Sequence, residues 1–222
     1  MERSKPEIIS LLCNPGIIAV VRAQRAEQVP PLCEALIAGG VIAIEITMTT
    51  PNAIAAIREA RATLRQNALI GVGTVLDLGT CQAAMDAGAE FVVTPVCRPE
   101  FVERTHSAGR PIMLGAYTPT EAQTAHEAGA DFIKIFPADT VGPGYIKALR
   151  APLPHLKIVP TGGVEVKNVG DFLNAGCVAL GVGSSLVSAK ILEEANWGEL
   201  TRRAKEFVDA VREAKQKPSQ RN

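Results

Sequence analysis

An Ala-Gly pair recurs five times along this 222-residue chain, at Ala38-Gly39, Ala87-Gly88, Ala108-Gly109, Ala128-Gly129 and Ala175-Gly176. The glycines stand 49, 21, 20 and 47 residues apart. Those spacings are one or two copies of a unit of about 20–25 residues. Each pair closes an alanine-rich amphipathic stretch and precedes a short apolar run. Glycine readily takes the left-handed conformation that ends a helix, so each pair reads as a helix C-cap followed by a new strand. Few folds accommodate a chain that keeps repeating this unit.

Eight apolar runs are strand candidates: 17–21, 42–47, 70–74, 91–94, 112–117, 132–136, 157–161 and 179–183. Helical patterns separate them, for example 52–65, 81–87, 120–128 and 166–174. Thr118-Pro119-Thr120-Glu121 has the form of a capping box with proline at the first helical position, and Thr50-Pro51 reads as the opening of another helix. Residues 4–13 look like an extra helix before the first strand, and 197–215 like a long terminal one. Eight strand–helix units with near-continuous apolar strands predict an α/β fold, a (β/α)8 TIM barrel; a doubly wound open sheet is the other candidate. No composition shift divides the chain, so it reads as one domain over 1–222 with 216–222 as a frayed tail.

Composition narrows the function. Lys+Arg and Asp+Glu balance at 23 each with no basic block, which argues against nucleic acid or an anionic membrane as partner. No apolar run approaches the roughly 18 residues a membrane span needs. The N-terminus, Met1-Glu2-Arg3-Ser4-Lys5-Pro6, is too polar for a signal peptide. Five scattered cysteines without a CxxC read as free thiols in a reducing cytoplasm.

The chemistry centres on Lys134, in Asp131-Phe132-Ile133-Lys134-Ile135-Phe136-Pro137. Strand period two puts Phe132, Lys134 and Phe136 on one face and Ile133 and Ile135 on the other. An ammonium in an apolar strand is costly unless paired or neutralised. Burial favours the uncharged amine, and an uncharged lysine amine attacks carbonyl carbon. The bland alternative is a lysine that snorkels to water. Glu45 is similar: in Ile42-Ala43-Ile44-Glu45-Ile46-Thr47 it shares one face with Ala43 and Thr47. A carboxylate there suits general acid–base work, the alternative being a structural salt bridge with Lys134 or Arg22. Arg22, after Ala19-Val20-Val21, could grip a substrate carboxylate bidentately, or form an ordinary surface ion pair.

Two glycine-rich segments follow the seventh and eighth strands: Thr161-Gly162-Gly163-Val164 and Gly181-Val182-Gly183-Ser184-Ser185. In barrels, loops at those places feed helix N-termini and commonly hold a phosphate. That assigns a phosphate or substrate role to Thr161, Gly162, Gly163, Gly183, Ser184 and Ser185. Thr47, Thr94, Pro95 and Phe136 line the same pocket. His106, His126 and His155 fall in helix or loop stretches and read as surface residues, badly placed for a zinc site. Cys97, near the mouth, has no evident histidine partner and reads as a packing thiol.

Together these segments resemble the family of 2-keto-3-deoxy-6-phosphogluconate (KDPG) aldolase and 4-hydroxy-2-oxoglutarate (KHG) aldolase. The carriers are Gly40-Val41-Ile42-Ala43-Ile44-Glu45-Ile46-Thr47, Gly71-Val72-Gly73-Thr74-Val75, Phe91-Val92-Val93-Thr94-Pro95, Phe132-Ile133-Lys134-Ile135-Phe136-Pro137-Ala138, Pro160-Thr161-Gly162-Gly163-Val164 and Gly181-Val182-Gly183-Ser184. The resemblance implies that Lys134 forms a Schiff base, Glu45 moves protons and Thr74 helps hold the pyruvate portion. It implies a class I aldolase, with no metal and no cofactor, assembled as a homotrimer. Some members carry an arginine four residues after the catalytic glutamate to bind the substrate carboxylate. Here that position is Thr49, so the carboxylate is assigned to Arg22, with Thr74.

The expected reaction is cleavage of KDPG to pyruvate and glyceraldehyde 3-phosphate, with 4-hydroxy-2-oxoglutarate as a further substrate. Its rivals are the 2-keto-3-deoxy-6-phosphogalactonate epimer as substrate, a phosphate-binding barrel isomerase or synthase, and a non-catalytic metabolite binder.

Overall fold

Each apolar run becomes a strand whose neighbours in sequence are its neighbours in space. The computed structural model describes residues 2–216. Its strands are β1 (Ile17–Val21), β2 (Ala43–Thr47), β3 (Leu69–Gly73), β4 (Val92–Val93), β5 (Ile112–Ala116), β6 (Phe132–Ile135), β7 (Ile158–Pro160) and β8 (Leu180–Val182). All pair in parallel, in the order β7-β6-β5-β4-β3-β2-β1-β8. The ring closes where Val178 donates to the Ile158 carbonyl at 3.0 Å and Thr161 bridges Gly181. This is a (β/α)8 barrel, and the open doubly wound sheet is excluded.

Helices α1 (Lys5–Cys13), α2 (Val29–Ala38), α3 (Ala53–Leu64), α4 (Leu78–Asp86), α5 (Glu100–Ser107), α6 (Pro119–Glu127), α7 (Gly142–Arg150), α8 (Val169–Asn174), α9 (Ala189–Glu194) and α10 (Trp197–Gln216) accompany the strands. Outward residues such as Ile44, Ile46, Ile133 and Ile135 form the large core between sheet and helices. Inward residues form a second core, including Phe91, Met113, Phe132 and Val159, into which α1 presses Ile8 and Leu12. So α1 plugs the N-terminal end of the barrel, and the other end is open.

The repeated glycines behave as caps. Gly88, Gly109, Gly129 and Gly176 all have positive φ; at the first pair the left-handed residue is Gly40, one position later. Gly39 has another task. A Cβ there would lie 2.4 Å from the Ala204 Cβ, so its bare backbone lets α10 lie close against α2.

The structure corrects several boundaries. Thr50-Pro51 opens no helix: Thr50 closes a turn by donating to the Thr47 carbonyl at 2.9 Å, and α3 starts after Asn52, which is left-handed at φ 52°. The pattern over 166–174 is a 3-10 turn (Val166–Asn168) followed by α8. Gln216, placed in the frayed tail, is the last residue of α10; the rest of that tail lies outside the described residues. The capping box is as expected. Thr118 Oγ1 accepts from the Glu121 N–H at 3.3 Å, and Glu121 Oε2 accepts from the Thr118 N–H at 2.8 Å.

Candidate active site

The alternation of β2 and β6 turns Glu45 and Lys134 into the barrel, one step above the inner apolar core. Both are buried, with 2% and 5% exposure. Their side chains meet across the interior, Lys134 Nζ standing 3.5 Å from Glu45 Oε1. Charge-assisted bonds usually close to about 2.7–2.9 Å. The longer separation is typical of catalytic contacts that tighten only around a substrate. Among the described residues Lys134 is the one hydrogen-bond partner of Glu45. The Phe136 ring stands over the amine, its centroid 5.5 Å from Nζ.

Space for this pair comes from glycine, a signal that reading strands by their apolar residues misses. A Cβ on Gly73 would fall 1.8 Å from Glu45 Oε1, and one on Gly115, the register partner of Lys134, would meet the Pro95 backbone at 2.2 Å. On the other side of the barrel, a Cβ on Gly181 would meet Thr161 Oγ1 at 2.2 Å.

A cavity of about 440 Å³ opens at the strand ends. Arg22, Phe136, Thr161, Gly162, Gly163, Gly183, Ser184 and Ser185 all line it. Two of its walls lead to the buried pair. Phe136 covers Lys134, and Val20, also in the lining, is the register partner of Glu45. Arg22 is exposed at the mouth and makes no ion pair among the described residues, so the surface-pair alternative has no support. Gly162 and Gly163 take φ 101° and 66°, conformations that favour glycine and bring bare backbone to the cavity. Ser185 Oγ is engaged, donating to the Val164 carbonyl at 2.5 Å. Neither loop leads straight into a helix. The 3-10 turn intervenes after β7, and α9 begins only after Ser188, which caps it. The lining also takes in Val20, which reads only as part of the first apolar run, and Gln24, Glu165, Val187, Ala189 and Leu192, which lie outside the recognisable motifs.

Thr74 follows the last residue of β3 at φ 59°, a conformation that costs a β-branched residue about 1–3 kcal/mol. Such strain concentrates at functional sites. Thr47 and Thr94 are buried with their hydroxyls on backbone: Thr47 Oγ1 donates to the Val21 carbonyl at 3.1 Å, and Thr94 Oγ1 to the Val96 carbonyl at 2.6 Å. Thr94, Pro95 and Thr47 shape the walls from behind and do not border the cavity.

The remaining candidates separate. His126 and His155 are exposed, their rings 4.4 Å apart. His106, read as a surface residue, is half-buried near the plugged end. Its Nε2 pairs with Asp131 at 2.9 Å and meets Lys5 Nζ at 2.7 Å, because α1 covers it. Cys97 donates to the Glu121 carbonyl at 3.5 Å, and burial, with Glu121 and Glu100 nearby, raises its thiol above the usual range, away from nucleophilic character. Among the described residues no group of three or more His, Cys, Asp or Glu could hold a metal ion, and no helix is long and apolar enough to cross a membrane.

Comparison with known proteins agrees with this geometry. Residues 8–203 match the family model described as KDPG and KHG aldolase. The chain is 34% identical over 220 residues to a 2-dehydro-3-deoxy-phosphogluconate aldolase of Pseudomonas aeruginosa, covering 96% of this chain and 97% of that one. It is 37% identical over 204 residues to the 2-dehydro-3-deoxy-6-phosphogalactonate aldolase of Escherichia coli, covering 90% and 96%. Among solved structures, a KDPG aldolase of Legionella pneumophila, with pyruvate captured as a covalent carbinolamine, superposes with a TM-score of 0.83 at 29% identity, covering 90% of this chain and 97% of that one.

Proposed function

The chain belongs to the KDPG and KHG aldolase family, a carbon–carbon lyase of the pyruvate-dependent class I type, and we propose that it cleaves KDPG through an imine on Lys134. The observation that carries this reading is the buried Lys134–Glu45 pair, 3.5 Å apart, beside a cavity walled by an arginine at one side and two glycine loops at the other. A phosphorylated keto acid has a carboxylate, a ketone and a phosphate, and the site has a complement for each.

The Lys134 amine attacks the C2 ketone, and loss of water gives an iminium that draws electrons from the C3–C4 bond. Glu45, within proton reach of Lys134, takes the proton from the C4 hydroxyl as that bond breaks and glyceraldehyde 3-phosphate leaves. The enamine is then protonated at its methylene carbon by the same carboxyl, and hydrolysis releases pyruvate. Arg22 and Thr74 hold the carboxylate, so the reacting atoms meet in one geometry. The loops at Gly162, Gly163, Gly183 and Ser184 grip the phosphate and turn its binding energy into alignment at C2. Thr161 and Ser185 shape those loops. No residue in this scheme needs a metal or cofactor.

The galactonate epimer is the second reading, favoured by the 37% identity to an aldolase named for it. We place the enzyme in the cytoplasm as a homotrimer. Five free cysteines fit a reducing compartment, and the exposed Leu76, Val96 and Tyr117, on adjacent loops after β3, β4 and β5, offer an apolar rim for a second copy.

The test is incubation with pyruvate followed by borohydride reduction. A stable pyruvate adduct on the peptide bearing Lys134 is expected, and its absence would overturn the imine mechanism. Cleavage rates for KDPG, its galactonate epimer and 4-hydroxy-2-oxoglutarate then rank the substrates, and the last, lacking phosphate, measures what the glycine loops contribute.

A further inference from the structure

At the end of β2 the chain folds into a turn, residues 47–50, that nothing in the reaction scheme uses. It is closed by the Thr50 N–H on the Thr47 carbonyl at 2.9 Å, and its hydroxyls all point to backbone of the neighbouring strand end or to one another. Thr47 Oγ1 donates to the Val21 carbonyl at 3.1 Å. Thr50 Oγ1 accepts from the Ala23 N–H at 3.1 Å. These are the peptide groups on either side of Arg22. Thr49 Oγ1 lies 2.8 Å from Thr47 Oγ1, and since the Thr47 proton is on Val21, Thr49 is the donor. On the opposite flank the Met48 N–H donates to the Gly73 carbonyl at 2.8 Å, directly before the strained Thr74.

We propose that the 47–50 turn is a positioning clamp that fixes the backbone at Arg22, and with it Thr74, so that both meet the substrate carboxylate without rearrangement. This rests on the reading that Arg22 and Thr74 bind that carboxylate. An exposed arginine on a strand end would otherwise sample many backbone and rotamer states, and ordering it would cost binding energy. Both bonds to the Arg22 segment are buried, with Thr47 at 1% and Thr50 at 2% exposure, so water does not compete for them. Thr49, held on the Thr47 hydroxyl, completes the clamp. Thr50 touches no reacting atom in this account; it acts through Arg22.

The test varies Thr50 in the full-length enzyme and reads the pyruvate concentration that half-saturates borohydride-dependent inactivation. Thr50→Val keeps the shape but leaves the Ala23 N–H unpaired. The half-saturating concentration is expected to rise about tenfold, the factor that ~1.4 kcal/mol gives. The inactivation rate at saturating pyruvate should stay within about threefold. Thr50→Ser, which keeps the acceptor, should restore the concentration. Arg22→Met should raise it at least as much, and Thr50→Val added to Arg22→Met should raise it no further. A concentration unmoved by Thr50→Val, not restored by serine, or raised by the same factor with Arg22 already removed, overturns the clamp alone. If Arg22→Met leaves it unmoved, the carboxylate reading fails and the clamp with it. Should Thr50→Val not fold, Thr50→Ala carries the same expectations.

Discussion

Among the described residues two carboxylates are buried, one at each end of the barrel, and they are held in opposite ways. Glu90, 1% exposed near the plugged end, is saturated: Arg3 Nη1 donates to both of its oxygens at 2.8 and 3.0 Å, Arg61 Nη1 lies 2.7 Å from Oε2, and the Ile70 N–H adds a 3.4 Å contact. Glu45, 2% exposed at the open end, has one partner, at 3.5 Å. A fully ligated buried carboxylate has no lone pair left for a substrate, and its role is to hold chain segments together. A sparsely ligated one keeps acceptor capacity for a proton that a substrate delivers. Burial alone therefore does not distinguish the two; unfilled coordination is what suits Glu45 to the proton transfer proposed for it.

The comparison breaks most sharply at the open end. Lys134→Arg keeps charge and bulk, yet a guanidinium forms no imine, so turnover and borohydride trapping should both vanish. Retained activity would sink the mechanism. Glu45→Gln should still trap pyruvate while kcat drops by about 10²–10⁴, the range of general acid–base catalysis, with little change in the unfolding midpoint. At the other end, Glu90→Gln leaves Arg3 and Arg61 facing a neutral group. Urea titration should show a loss of about 3–5 kcal/mol, and the folded fraction should keep its kcat. If the two glutamine variants exchanged these phenotypes, the assignment of roles would be reversed.

How legible was each end? The period-two pattern of β2 and β6 identified both Glu45 and Lys134, because an isolated charge in an alternating apolar run has one interior position to occupy. Glu90 gave no such signal. It lies at the edge of a short strand, and its partners Arg3 and Arg61 are distant in sequence and ordinary in composition. The two glycine loops were legible through their spacing after the seventh and eighth strands. Thr50-Pro51 reads as a helix opening because Thr-Pro has the same chemistry as an N-cap, and only tertiary contacts divert Thr50 to Ala23. The interior glycines carry no legible pattern, because what requires them is that neighbouring atoms occupy the space of their missing Cβ.

That reason gives a subtler test. Gly73→Ala would put a methyl where Glu45 Oε1 now lies, and displacing the carboxylate by about 1 Å should lower kcat roughly 10²-fold, in a protein that still folds. An alanine variant with full activity would show that Glu45 works from elsewhere. The smallest effect lies away from both carboxylates. Thr118→Ala removes a helix cap and should cost about 1 kcal/mol in chemical denaturation. The hydrogen bonds from Tyr117 and Thr118 hold Glu121 below its ordinary value of 4.5. The cap's stabilisation is therefore complete above that pH and is lost as pH falls through the depressed value, so the gap between wild type and variant should narrow in acid.

The plug and the last helix together also determine how this barrel can be attached to other things. Arg3 is fastened to the Ala68 and Gln66 carbonyls and to Glu90 at the closed end. Near the other terminus, Lys215 Nζ donates to the Cys13 and Pro15 carbonyls, just before β1 begins. Both ends of the described chain thus emerge beneath the barrel, on the side away from the cavity. A tether, a fusion partner or a solid support joined through either one leaves the mouth facing solution.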